Sequence, residues 1–271
     1  MSSNTAKWYH SMTFTYASEW DDETKKHGTV NTWDDWHLIP TSRPVFQQGD
    51  VKTVYIDIPG ADGQVDITES LTGYPVYNNR EGSLEFIVAN DYRSSWAGGF
   101  SKFANWLHGK NLRCVLDDDP NYFYEGRFKL NEWNSNNDGT WSTVTFDYNL
   151  KPYKYCMKLS TDNWLWDPFN FETDVIYNGA DISVNGTTTF IVSNNEMHVV
   201  PIFVIKDTVD KKWTIELNGT SIELEFDLST VTSNKLEYKD PRLELLSGNN
   251  TLKIIAETTG KIDVVFRGGS L

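Results

Sequence analysis

The sequence predicts a mainly β protein with one helix, on three observations. Apolar and polar residues alternate in a succession of short runs, only one stretch carries a 3.6-residue apolar stripe, and Gly, Pro, Asn and Asp punctuate the chain between runs. Residues 12–20 (MTFTYASEW) alternate, with Met12, Phe14 and Tyr16 on one face. Residues 21–28 are polar and turn-like, and 31–49 form a loop that Pro40 and Pro44 keep extended. Residues 51–60 set Val51, Thr53, Tyr55 and Asp57 against Lys52, Val54, Ile56 and Ile58 and end in Pro59-Gly60. Ala61-Asp62-Gly63 continues that turn into a second run at 65–68. A loop at 72–82 leads to a strand at 83–89, with Leu84, Phe86 and Val88 on one face. From about Gly99, Phe100, Phe103, Ala104 and Leu107 form an amphipathic stripe, capped by Ser101 or Ser94 and stopped by Gly109. Runs at 111–117, 122–133 and 141–150 return to strands, the last two joined through the Asn-rich hairpin 134–139.

A composition shift at 151–155 places a domain boundary near residues 152–170, which predicts domains at 1–155 and 156–271. Beyond it the strands are 187–194, 198–207, 213–219, 220–226, 235–240, 250–258 and 261–268, with Asn218-Gly219 as a hairpin signal. Short strands at this spacing predict an antiparallel sandwich.

Bulk properties narrow the function. Of 271 residues, 39% are apolar and 23% charged, which supports a packed core. Aromatics reach 14%, with 11 Trp, an excess that fits protein contacts or carbohydrate stacking. The formal charge of −14 divides evenly: 14 Lys/Arg against 21 Asp/Glu in residues 1–155, and 10 against 17 beyond, leave −7 in each half. Such a surface does not grip nucleic acid, though it suits the wall of a channel that DNA traverses. Cys114 and Cys156 have no metal-type spacing and imply no disulfide framework. No apolar run approaches the ~20 residues that span a bilayer. The N-terminus lacks a signal-peptide pattern, so synthesis and retention in the cytosol until assembly or release are expected.

Motifs for chemistry are weak. Trp33-Asp34-Asp35-Trp36-His37 offers one His and two carboxylates, but adjacent side chains rarely converge on one ion and no HxH or HExxH partner is near. The aspartates are expected to bond loop amides while the rings pack on the sheet. Asp117-Asp118-Asp119 lacks the further spaced ligands of a calcium loop and reads as a solvated strand-end turn. Nothing singles out a carboxylate pair for glycoside hydrolysis, and the Gly-x-Ser-x-Gly, phosphate-loop and Gly-x-Gly-x-x-Gly patterns are missing. Trp164 and Trp166 read either as a sugar-stacking platform or as a seal at the domain joint, the latter favoured by their place at the composition change. No catalytic residue, cofactor or metal is assigned.

The order of the pieces says more. NTWDDWHLIPTSRP (31–44), then VYIDIPGADGQVDITE (54–69), NNREGSLEF (78–86) and SKFANWLHGK (101–110) together resemble the distal tail proteins (Dit) of long-tailed phages, over about residues 8–155. The resemblance implies a ring-forming N-terminal β-sandwich with one α-helix and a β-hairpin. It also implies an outward-projecting, galectin-like antiparallel β-sandwich at the C-terminus. It further implies a homo-hexamer in the virion tail tip, surrounding the DNA channel and joining the tail tube protein to the tail-associated hub protein. A receptor-binding protein or a host surface glycan is a further partner in this reading. Membrane insertion, specific nucleic-acid binding and enzymatic activity are not expected. Within that scaffold Trp33, Asp34, Asp35, Trp36, Ile39, Pro40 and Arg43 are the candidate interface residues. Replacing Trp33 and Trp36 with Ala is expected to abolish the ring and leave a folded monomer. Two other classes compete: a carbohydrate-binding adhesion module using Trp164, Trp166 or Trp213, and, with less support, a glycoside hydrolase.

Overall fold

The computed structural model describes residues 10–20, 29–88, 96–135, 142–162, 178–208, 212–225 and 235–271. Two units follow one another along the chain, residues 1–154 and 155–271.

In the first unit the elements are β1 (Met12–Tyr16), β2 (Thr29–Asn31), β3 (Leu38–Pro40), β4 (Tyr55–Asp57), β5 (Gln64–Asp66) and β6 (Arg80–Val88), then α1 (Trp96–Leu107), β7 (Asn111–Leu116), β8 (Tyr122–Ser135) and β9 (Ser142–Leu150). The sheet order is β2-β1-β7-β8-β9-β6-β3, and every neighbouring pair is antiparallel. Alternation dictates what this sheet buries. Phe14, Leu112, Cys114, Phe128, Val144, Phe146 and Phe86 all point to one face and are at most 1% exposed. Phe103 and Leu107 of α1 close the same core, with Trp36 and Phe46 filling in from loops. The helix begins three residues before the predicted Gly99, at Trp96. It ends as predicted: Gly109 adopts φ +72° and its amide donates to the Phe128 carbonyl at 2.7 Å. A register shift at Leu130/Glu132 puts an extra residue in β8, after which Trp133 again faces the core.

The second unit opens with β10 (Lys154–Cys156), which starts one residue before it, and continues through β11 (Ile182–Asn194), β12 (Ile202–Lys206), β13 (Lys212–Leu217), β14 (Thr220–Glu225), β15 (Lys235–Tyr238), β16 (Gly248–Val265) and β17 (Gly269–Ser270). Two strands expected at 250–258 and 261–268 are one 18-residue strand, β16. It stays paired to β11 along almost its whole length. On its other side Leu252–Ala256 pair with β13 and Lys261–Val265 pair with β12. Thr258-Thr259-Gly260 therefore marks a bend, not a break. The opposite strand bulges at Asn185/Thr187, where Gly186 takes φ +62°. One bent hairpin thus feeds both layers, β14-β13-β16 and β16-β12-β15, whose inner residues Trp213, Ile215, Leu252, Ile254, Phe203, Ile205, Ile262 and Val264 share one core. The turn at Asn218-Gly219 is the expected hairpin, with positive φ at both residues. The chain is mainly β with one helix among the described residues, as its alternation predicts.

One buried cation secures the root of the loop that carries β4 and β5. Arg80 is 2% exposed. Its Nε donates to the Pro152 carbonyl at 2.7 Å, its Nη1 donates to the Phe46 carbonyl at 3.0 Å, and the guanidinium lies 5.5 Å from the Tyr124 ring centre. Burial lowers its pKa, against the smaller pull of the Tyr124 and Tyr148 hydroxyls. Arg80→Met is expected to destabilise the first unit by about 1–3 kcal/mol, because the buried Phe46 carbonyl and the part-buried Pro152 carbonyl lose their donor. Urea denaturation followed by Trp fluorescence checks this.

Candidate assembly surface

The segment 31–43 is a turn built from its own polar side chains. Asn31 Oδ1 accepts the amides of Trp33 at 2.9 Å and Asp34 at 3.1 Å, and Asp35 Oδ2 accepts the Asn31 amide at 2.7 Å. His37 leaves the turn at φ +55°, and the Leu38 amide returns to the Thr32 carbonyl at 2.8 Å. Asp35 is therefore committed to the backbone. Among the described residues no group of three His, Cys, Asp or Glu side chains is placed to hold a metal ion.

The sequence-predicted contact residues separate here. Trp36 is 1% exposed and packs on Phe14, Phe103, Trp106 and Phe146 at centroid distances of 5.0–6.3 Å. It is a core residue with no surface to offer a partner, which corrects its place among the contact residues, and replacing it is expected to cost stability of the first unit. Trp33 is half-buried, edge-on to His37 at 5.7 Å. Asp34 and Arg43 are exposed, and Ile39 and Pro40 are half-buried opposite Ile87 and Phe86. Trp164 and Trp166 lie outside the described residues. Trp213 is 1% exposed and its indole N–H donates to Thr208 Oγ1 at 3.3 Å, so it is no sugar platform. Among the described aromatic side chains of the second unit none is fully exposed.

The acidic turn Asp117–Asp119 is a strand-end turn, exposed at Asp118 and half-buried at Asp117 and Asp119, whose carboxylates also carry partners. Each carboxylate is spoken for by a different part of the unit. Asp117 accepts from the Ser11 hydroxyl, Asp118 from His10 Nδ1 at 2.8 Å and Arg43 Nε at 2.9 Å, and Asp119 from Lys154 Nζ at 2.7 Å. The turn fastens the entry to β1 and the 41–44 loop. Partial burial pushes the Asp118 carboxyl up, but the hydrogen bonds from His10 and Arg43 outweigh it and hold it below its ordinary value. Glu125 repeats the pattern. Burial raises it, while Lys151 and Arg113, the latter at 2.9 Å, pull it down further. A carboxylate with a lowered folded pKa contributes stability that is full above its unfolded value, about 4.3 for Glu, and is lost as pH falls through the folded one. The first unit is therefore expected to lose stability below about pH 4.3, and Glu125→Gln to flatten that part of the melting-temperature profile. Calorimetric scans between acid and neutral pH check it.

The feature missing from the sequence-level candidates is the β4–β5 hairpin. Every residue from Asp50 to Asp66 is exposed. Ile56 pairs with Val65, which puts Val54, Ile56, Ile58 and Val65 on one face, and these are 44–49% exposed. Tyr55, Asp57, Gln64 and Asp66 occupy the other. The alternation was legible; that the apolar side finds no cover was not. An isolated two-stranded hairpin is marginal in water, and an apolar face left open on one marks an interaction surface.

No protein-family model and no curated protein matches the sequence. Among solved structures, the SPP1 Dit (gp 19.1) protein, presented there as a paradigm of the hub adsorption apparatus in phages infecting Gram-positive bacteria, superposes on 96% of this chain and 99% of that one, with a TM-score of 0.56 and 16% identity. The chain has the Dit fold. A family 35 carbohydrate-binding module from an environmental isolate aligns with 43% of this chain and 87% of that one at TM-score 0.23 and 18% identity. An exo-β-1,3-galactanase from Phanerochaete chrysosporium aligns with 68% and 54% at TM-score 0.21 and 10% identity. Those two scores are too low to carry an argument. The Dit fold extends over both units, so it includes the residues beyond 155 where sequence motifs are silent.

Proposed function

We propose that this chain is a structural virion protein of a phage tail tip, a Dit-type hub component. In this reading its first unit builds a homo-hexameric ring around the DNA channel, joins the tail tube protein to the tail-associated hub protein, and carries the second unit outward. The observation that supports it most is the end-to-end correspondence with a hub adsorption protein, covering nearly all of both chains. The exposed apolar face of the β4–β5 hairpin supports self-association, because a head-to-tail contact closes into a ring when its rotation allows. Trp33, Asp34, Ile39, Pro40 and Arg43 remain candidates for a second contact strip. The acidic charge supports passage of DNA without capture. No enzymatic role is proposed. Host-glycan binding by the second unit is the alternative, and a glycan array probed with the intact chain separates the two.

Sedimentation equilibrium tests the reading. The expected mass is roughly six times the 31.1 kDa chain. A two-fold dimer at every concentration would overturn the ring.

A further inference from the structure

An asparagine followed by glycine is a chemically weak point in any chain. The glycine amide nitrogen reaches the asparagine side-chain carbonyl carbon with no Cβ in the way, and a succinimide ring closes. The sequence holds three such pairs, Asn178-Gly179, Asn185-Gly186 and Asn218-Gly219, all in the second unit. Sequence alone hardly separates them, since a bulky apolar or aromatic residue (Tyr177, Val184 or Leu217) precedes each. The fold does separate them. Closure needs a side-chain amide free to turn, a glycine N–H free to lose its proton, and room for the ring, and any hydrogen bond in the way has to open first.

Asn218-Gly219 fails on the side chain. Asn218 Nδ2 donates to Asn250 Oδ1 at 2.7 Å, and Asn218 Oδ1 accepts the Thr251 amide at 3.0 Å, so both ends of its amide are held. Asn178-Gly179 fails on the backbone. The Gly179 N–H donates to the Ser160 carbonyl at 3.1 Å, and a Cβ at Gly179 would lie 2.6 Å from the Val264 carbonyl oxygen. Asn178 Nδ2 also donates to the Ile191 carbonyl at 3.4 Å.

Asn185-Gly186 meets no such restraint among the described residues. Asn185 is exposed, and the bond from its backbone amide to Thr188 Oγ1 at 3.3 Å leaves the side-chain amide unheld. Asn185 pairs with Thr259 and Thr187 with Ile255, so Gly186 falls in the register break without a counterpart on β16. It takes φ +62°, and a Cβ there would meet no atom within 4 Å. Bulge and glycine together give the open space that the other two pairs lack.

We propose that Asn185 is a site of spontaneous covalent modification in the folded protein. The Gly186 nitrogen gives up its proton and bonds to Cγ of Asn185, the side-chain nitrogen leaves as ammonia, and water then opens the succinimide. Opening at one carbonyl leaves aspartate, and opening at the other leaves isoaspartate. Either product adds a carboxylate, and isoaspartate also lengthens the main chain by a methylene. The change falls on the bulge of the bent β11–β16 hairpin that feeds both layers of the second unit.

Peptide mapping by mass spectrometry tests it on the intact chain, aged at mildly alkaline pH. The Asn185 peptide is expected to convert from amide to acid about tenfold faster than the Asn218 or Asn178 peptides, whose hydrogen bonds have to break first. In urea, where no fold protects any of them, the three rates are expected to converge. Asn185→Gln is expected to remove the fast conversion and leave the two slow ones. If Asn218 or Asn178 converts as fast as Asn185 in the folded chain, or if Asn185 stays intact while the urea-unfolded chain reacts, the proposal is wrong. A difference between the three that persists in urea would also overturn it, by assigning the rates to sequence and not to the fold.

Discussion

Trp36→Ala is expected to remove about 3–5 kcal/mol from the first unit, a large part of the ~5–15 kcal/mol that holds an ordinary domain together. The ring is fully buried against four others, with Trp106 meeting it edge-on at 5.4 Å and Phe103 at 5.0 Å. It arrives from a loop, not from the sheet. Losing it therefore opens a cavity between α1 and the strands and frees the turn that Asn31 and Asp35 hold in shape. Trp33→Ala, at a half-buried site one turn earlier, is expected to cost less than about 1.5 kcal/mol. Guanidinium denaturation of the two variants side by side measures the contrast. Equal midpoints would mean that Trp36 is not the keystone between helix and sheet.

Ile56→Asp together with Val65→Asp is expected to abolish self-association while leaving the fold intact. Both side chains stand on the open face of the hairpin, 48% and 44% exposed, so neither supports the core. If association buries them, each contributes about 1.5–3 kcal/mol, and losing both weakens the contact on the order of 100-fold or more. Unchanged circular dichroism with a monomer mass is the expected result. A variant that assembles normally would move the contact away from this face.

How far the sequence leads is uneven, and the reasons are physical. Strands with one face on a core announce themselves by alternation, which is why β1, β6, β7, β9 and β13 are placed within a residue or a few by pattern alone. The Phe100/Phe103/Ala104/Leu107 stripe fixes α1 for the same reason, though its first turn escapes, since the stripe says nothing about where the backbone begins to coil. β16 is misread as two strands because a Thr-Thr-Gly run resembles a turn, while pairing with β11 carries the backbone through it. The contact surface is harder. A tryptophan between two aspartates looks the same in sequence whether it caps a core or meets a partner; only tertiary packing shows that Trp36 does the first. Val54, Ile56 and Ile58 alternate as any core strand does, and no local signal says that nothing covers them. The acidic turn at 117–119 has partners as far away in sequence as Ser11 and Lys154, beyond the reach of any motif.

The central claim is a head-to-tail ring with a passage through it. Negative-stain images of the purified wild-type chain, sorted into two-dimensional averages, test it most directly. Six-fold rings with an open centre are the predicted result. Closed particles with two-fold symmetry and no hole, at concentrations where the protein is fully associated, would contradict it.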